Sequence, residues 1–147
     1  MNTLIIFHSF HHRNTEKVAR VIAQTINSEV VEADQNKKIS VSGYDMIGFG
    51  SGYIMDGYPI NLYELLNMQS NFSGKKAFVF STAGSISYGN RANDLFAAEL
   101  EDRGLEVKGK FCCPGFDTAL SAKGINHGRP HDKDLDQARS FALSLIK

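Results

Sequence analysis

The sequence predicts a three-layer α/β/α domain built on a doubly wound, five-stranded parallel sheet in the order 2-1-3-4-5. Short apolar runs alternate along the chain with helical stripes, which calls for parallel strands, right-handed crossovers and helices on both faces. The chain has 147 residues, a length at which one core buries roughly 70% of the unfolded surface, so residues 1–147 are expected to form a single domain. Loop-like connections follow the first, third and fourth apolar runs, the last two rich in Ser and Gly. In such sheets ligands bind beyond the carboxyl ends of the strands, at the switch point between the first and third.

Each element follows from local pattern. Leu4 to Phe7 is a short apolar strand, and Val18, Val21, Ile22 and Ile26 then recur at helical spacing. Asn14 is the expected N-cap, with Glu16 in the first turn. Glu29 to Glu32 forms a second strand and Asp45 to Gly50 a third, running into a Gly-rich loop over 51–59. Leu62, Leu65 and Leu66 give a helical stripe, and Ser73-Gly74 a turn. Lys76 to Ser81 is a fourth strand, followed by a loop from Thr82 to Gly89. A helix carrying Ala92, Leu95, Phe96 and Leu100 ends at Gly104 in a left-handed cap. Glu106 to Cys112 is the fifth strand, an irregular stretch spans Pro114 to Pro130, and Leu135, Ala138, Ala142 and Leu145 mark the last helix.

Composition removes several classes of function. Hydrophobic residues make up 42% and charged residues 22%, the proportions of an ordinary globule rather than a disordered chain. Sixteen basic residues balance sixteen acidic ones, so no net field draws the chain to nucleic acid or membrane. Cys112 and Cys113 are adjacent, which suits free thiols in a reducing compartment better than a disulfide. The apolar run at the start is too short for a signal peptide or membrane span, and a cytoplasmic location is the expectation. The sequon Asn71-Phe72-Ser73 is then only part of a loop.

The first loop, His8 to Thr15, brings hydroxyls, an amide, an arginine and a helix start to one place, a pattern that suits a phosphate monoester. Ser9, Asn14 and Thr15 acting only as helix caps is the competing explanation. Ile5-Ile6-Phe7-x-Ser9 followed by Asn14-Thr15-x-x-Val18-Ala19 resembles the phosphate-loop signature of flavodoxins. Gly50-Ser51-Gly52-Tyr53 through Gly57-Tyr58-Pro59 is similar to that family's second flavin loop, and Ser81-Thr82-Ala83-Gly84-Ser85 to its third.

The resemblance runs the length of the chain and implies a short-chain flavodoxin-like protein with non-covalent FMN. It implies that Ser9, Asn14 and Thr15 hold the phosphate, with His11, His12 and Arg13 lining the same loop. Ser51, Gly52, Tyr53 and Ile54 would follow one side of the ring; Ser81, Thr82, Ala83, Gly84 and Ser85 would meet the other side and its polar edge. Tyr53, Tyr58 and Tyr88 are candidates to stack on the ring. The resemblance further implies that the Asp56-Gly57 peptide lies near flavin N5, where glycine would let it invert cheaply and offer or withdraw an N–H.

Three departures from the family pattern stand out. The first loop is one residue longer, with His12-Arg13 in place of small residues; the chain has no tryptophan; and it is neutral where classical flavodoxins are acidic. A phosphoryl-accepting receiver domain is excluded because it needs acidic residues at the strand ends, where this chain has Phe7-His8 and Gly50-Ser51. Neither cysteine has the arginine that a Cys-x5-Arg phosphatase cradle requires. The histidines at 11, 12, 127 and 131 suggest surface residues rather than a metal site. The segment from Lys123 to Pro130 resembles the C-terminal loop of some flavodoxin-family proteins and is placed either beside the cofactor or at a partner contact.

The expected function is therefore that of an FMN redox protein carrying single electrons between intracellular partner proteins, with the flavin and no acid–base residue doing the chemistry. Alternatives are an NAD(P)H-dependent FMN reductase acting on a small acceptor, and a flavin-free module that acts through protein contact. A monomer or weak dimer is expected.

Overall fold

The computed structural model describes residues 1–9, 12–34, 38–52, 57–119 and 121–147. The order of elements is β1 (Thr3–His8), α1 (Asn14–Ile26), β2 (Glu29–Glu32), β3 (Met46–Gly52), α2 (Ile60–Asn67), β4 (Lys76–Ala83), α3 (Ile86–Asp102), β5 (Glu106–Pro114) and α4 (Asp132–Leu145). The strands form one sheet in the order β2-β1-β3-β4-β5, and each neighbouring pair is parallel. This is the architecture that alternating runs and stripes predict.

Alternation along the strands sorts the core into two layers. Leu4, Ile6, Ile47, Phe49, Ala77 and Val79 face α2 and α3, where Leu62, Leu66, Phe96 and Leu100 complete the packing. Ile5, Phe7, Met46, Phe78 and Phe80 face the other way, against Val18 and Ile22 of α1 and Ala138 and Ala142 of α4. Burying side chains of this size contributes roughly 1.5–3 kcal/mol each. Two glycines of β3 shape the second layer: Gly48 lies in register with Phe78 and Gly50 with Phe80. Those phenylalanine rings occupy the space that a Cβ at either glycine would need.

The helix ends are set by local chemistry. After α3, Gly104 takes φ 96°, its N–H bonds Glu101 O, and the Leu105 N–H reaches back to Leu100 O at 3.1 Å. Both bonds together are the Schellman arrangement, which a left-handed glycine makes inexpensive. The start of α1 departs from expectation. Asn14 is its first residue, and the N-cap is Arg13 at φ 59°, ψ 26°, with no side-chain cap. Asn14 lies inside the helix and so is not the cap; its amide Nδ2 donates to Phe116 O at 2.9 Å.

Other boundaries also move: β3 spans Met46–Gly52 and β5 continues through Pro114. β4 continues through Ala83 and α3 begins at Ile86, so the Ser- and Gly-rich run from Thr82 to Gly89 is only briefly a loop. Gly89 serves close packing: a Cβ there would press on Cys112 Sγ, Ala83 Cβ and Ser81 Oγ. Among the described residues, no helix is long and apolar enough to cross a membrane.

Candidate functional site

Three connections emerge at the carboxyl ends of β1, β3 and β4, which are neighbours in the sheet. Thr15, in the first turn of α1, joins them. Its Oγ1 lies 2.9 Å from Thr82 Oγ1 at the end of β4, and a Cβ on Gly52 of β3 would sit 3.4 Å from the same oxygen. Both threonines are buried. The Thr15 hydroxyl thus ties the start of α1 to the end of β4.

At the other end of that loop Ser9 is buried, 8% exposed. Among the described residues its Oγ has no hydrogen-bond partner. The first N–H groups of α1 lack intrahelical acceptors by geometry, and Arg13 gives them no side-chain cap. A buried hydroxyl with no partner among the described residues, in the connection that leads into a helix start, suits the several acceptor oxygens of a phosphate monoester.

Arg13 shares the loop, but its guanidinium is committed elsewhere: Nη1 and Nη2 reach the Glu32 carboxylate at 2.7 and 2.9 Å, and Nε reaches Glu16 at 3.1 Å. Arg13 and, more weakly, Arg20 hold the Glu16 carboxyl below the usual carboxylate range. The His12 ring rests against Phe116 with centroids 4.5 Å apart, and its Nε2 lies 3.3 Å from Thr118 Oγ1.

Of the remaining expected residues, Ser51 is buried at the end of β3, with its hydroxyl on Gly52 O. Ser81 is buried inside β4 and its hydroxyl donates to Gly89 O at 3.3 Å. Ala83 ends β4, and Gly84 and Ser85 form the short turn to α3. Tyr88 stands on the first turn of α3, 47% exposed. Among the described residues, a Cβ on Gly57 would meet nothing within 4 Å. His11, Tyr53, Ile54 and Asp56 lie outside the described residues.

Tyr58 requires a correction. It is a core residue and does not face a ring site: its Oη lies 2.7 Å from Asn93 Oδ1 and 2.9 Å from Phe80 O. The ring stacks on Phe96 at 4.6 Å. Asn93 in turn donates to Phe111 O at 2.8 Å, so a buried polar chain ties the segment leading into α2 to β4, α3 and β5.

The segment after β5 forms a fourth wall that the sequence left irregular. Asn126, at φ 56°, donates to Gly84 O at 2.9 Å and Gly115 O at 3.2 Å. Asp117 and Ile125 exchange backbone hydrogen bonds in a small antiparallel bridge. Phe116 sits between His12 and His127, whose ring centroid is 5.0 Å away. Arg129 pairs with Asp134 through two bonds of 2.6 and 2.7 Å. The available sequence signal was the run of glycines at 115, 124 and 128. His8, expected to open the first loop, instead ends β1 with Nδ1 3.2 Å from Asn61 Nδ2, and burial lowers its pKa from 6.5. Among the described residues, no group of three His, Cys, Asp or Glu side chains is placed to share a metal ion.

Comparison with known proteins places this geometry. No protein-family model matches the chain. The uncharacterized protein MJ0298 of Methanocaldococcus jannaschii is 35% identical over 150 residues, covering 100% of this chain and 99% of that protein. The chain belongs to the family of MJ0298. Its fold is flavodoxin-like. The crystal structure of oxidised Flavodoxin 1 from Bacillus cereus superposes with a TM-score of 0.76 at 22% identity, covering 99% of this chain and 97% of that one. Oxidised Flavodoxin 2 from the same organism gives 0.73 at 19% identity, covering 98% and 97%. In this flavodoxin-like chain the sheet order and the convergence of the three connections are those of the shared fold.

Proposed function

We propose that this protein binds FMN non-covalently and carries single electrons between partner proteins in the cytoplasm. The observation that supports it most directly is the buried Ser9 Oγ, unpartnered among the described residues, just past the carboxyl end of β1 in the connection that leads into the uncapped start of α1. Sharing a fold with flavodoxins adds to it. FMN supplies the one-electron chemistry when bound. Ser9 and the first N–H groups of α1 would hold the phosphate, and the turn at Gly84 and Ser85 would meet the ring through its backbone. Asn126 fixes that turn by bonding Gly84 O. The neutral chain offers partners no general acidic field, which favours recognition by shape and local contacts over long-range steering.

Titration of the flavin-free protein with FMN tests this. Quenched flavin fluorescence and a structured visible spectrum are expected, with Ser9→Ala weakening FMN by about tenfold, the scale of one hydrogen bond to a charged group. No quenching at high micromolar FMN would sink the reading and leave a flavin-free interaction module. Direct bleaching of the bound flavin by NADH or NADPH would make the protein a reductase.

A further inference from the structure

Arg13 occupies a backbone conformation that suits glycine, with φ 59° and ψ 26°. For any residue with a Cβ this turn is disfavoured, because the Cβ crowds the following carbonyl oxygen. Something must hold it. Glu32 ends β2 and sits in register with Phe7 of β1. Its carboxylate takes two parallel bonds from the Arg13 guanidinium, at 2.7 and 2.9 Å, a geometry that fixes the plane as well as the position of the group. Glu16 accepts from Arg13 Nε at 3.1 Å and is itself held by Arg20 at 3.0 Å. The side chain therefore bridges the entry of α1 to the neighbouring strand.

We propose that Arg13 is the positioning residue of the anion cradle: its ion pairs with Glu32 and Glu16 hold residue 13 in the left-handed turn that aims the first N–H groups of α1 at the ligand's phosphate. The inference rests on the FMN reading and deepens it. Because the positive charge is spent on two carboxylates, the cradle is built from neutral donors, and Arg13 acts through geometry rather than by contact with the ligand. Glycine would reach the same turn without a clamp. Alanine has neither the freedom nor the anchor, and this difference is the handle for a test.

FMN and riboflavin affinities are to be measured for wild type, Arg13→Gly, Arg13→Ala and Glu32→Gln, with far-UV circular dichroism confirming that each folds. The expected pattern is a loss of FMN affinity of at least about tenfold in R13A, about threefold or less in R13G, and an intermediate loss in E32Q. Riboflavin, which lacks the phosphate, should weaken less than about twofold throughout. Equal losses in R13A and R13G with E32Q unaffected would mean that the guanidinium touches the ligand, and the proposal fails; it fails equally if R13A binds FMN like wild type. If wild type takes neither flavin, the FMN reading falls and amide NMR with inorganic phosphate decides the clamp. Shifts at Asn14, Thr15 and Glu16 in wild type that fade in R13A support it, and absence of those shifts in wild type overturns it.

Discussion

Thr15 and Thr82, 67 residues apart in sequence, share a buried hydrogen bond of 2.9 Å between their hydroxyl oxygens. It locks the first turn of α1 onto the end of β4. Replacing either by valine keeps the shape and leaves one hydroxyl without a partner, at a cost of about 1–3 kcal/mol. The double variant should cost less than the sum of the single ones. Urea unfolding of the four proteins measures this, and strict additivity would show that the bond contributes nothing.

Tyr58→Phe is expected to lower stability by about 1–3 kcal/mol, because Asn93 Oδ1 loses a donor in a buried setting. Thermal or denaturant unfolding reads the loss. Flavin binding should survive, since the ring of Tyr58 packs on Phe96; a collapse of flavin affinity without a change in stability would restore Tyr58 to the site.

The ion pair of Arg129 with Asp134 fastens the fourth wall to α4, and Asp134 also accepts from the His131 N–H at 2.9 Å. Arg129, foremost, holds the Asp134 carboxyl below its ordinary 3.8. A carboxyl with a depressed native pKa stabilises the fold fully above its unfolded value, and that contribution is lost as pH falls through the native one. Asp134→Asn should therefore flatten the loss of stability below about pH 3.8. Acid titrations of wild type and variant, followed by circular dichroism, provide the comparison.

His8 behaves in the opposite chemical sense with the same sign of slope. Burial, the largest influence, lowers its native pKa beneath 6.5, with Glu32 opposing and Arg13 reinforcing the shift. The unfolded chain thus binds the proton more readily. The stabilisation is complete above about pH 6.5 and declines as pH falls toward the native value. An NMR titration of the His8 ring should find its midpoint below 6.5, and His8→Gln should remove this part of the pH dependence; a midpoint above 6.5 would refute the assignment.

Burial pushes the Cys113 thiol up to about 12, with the Asp134 carboxylate adding to it. Cys112 is raised too, again mainly by burial. Thiols so seldom ionised react slowly. A disulfide reagent at about pH 8 should label the folded protein sluggishly and both cysteines promptly once it is unfolded. Rapid labelling of Cys113 itself in the native state would contradict its burial.

The sheet was legible because apolar alternation and strand register are consequences of the same pleat. Ala77 to Phe80 is a continuous apolar run since its residues meet helices on both faces in turn. Gly104 was legible because a helix that ends in a Schellman turn favours a glycine there. Features that depend on distant partners were not. Asn14 resembles a cap in sequence, but the helix takes Arg13 as its cap, and the Asn14 amide is bonded to Phe116, 102 residues away. Tyr58 resembles an exposed loop tyrosine until Asn93 and Phe96 are seen to enclose it. The fourth wall depends on Asn126 reaching across to Gly84, a contact that no local pattern announces.

Gly50 and Phe80 divide one volume between two strands, β3 giving up its side chain so that β4 can fill the space with a ring. Such a pair drifts only jointly. A bulkier residue at 50 is tolerable when 80 shrinks, and a smaller residue at 80 leaves a hole unless 50 grows into it. Among relatives of this chain, the two positions should exchange bulk as complements, so that the total occupied by both stays constant while the strand supplying it changes.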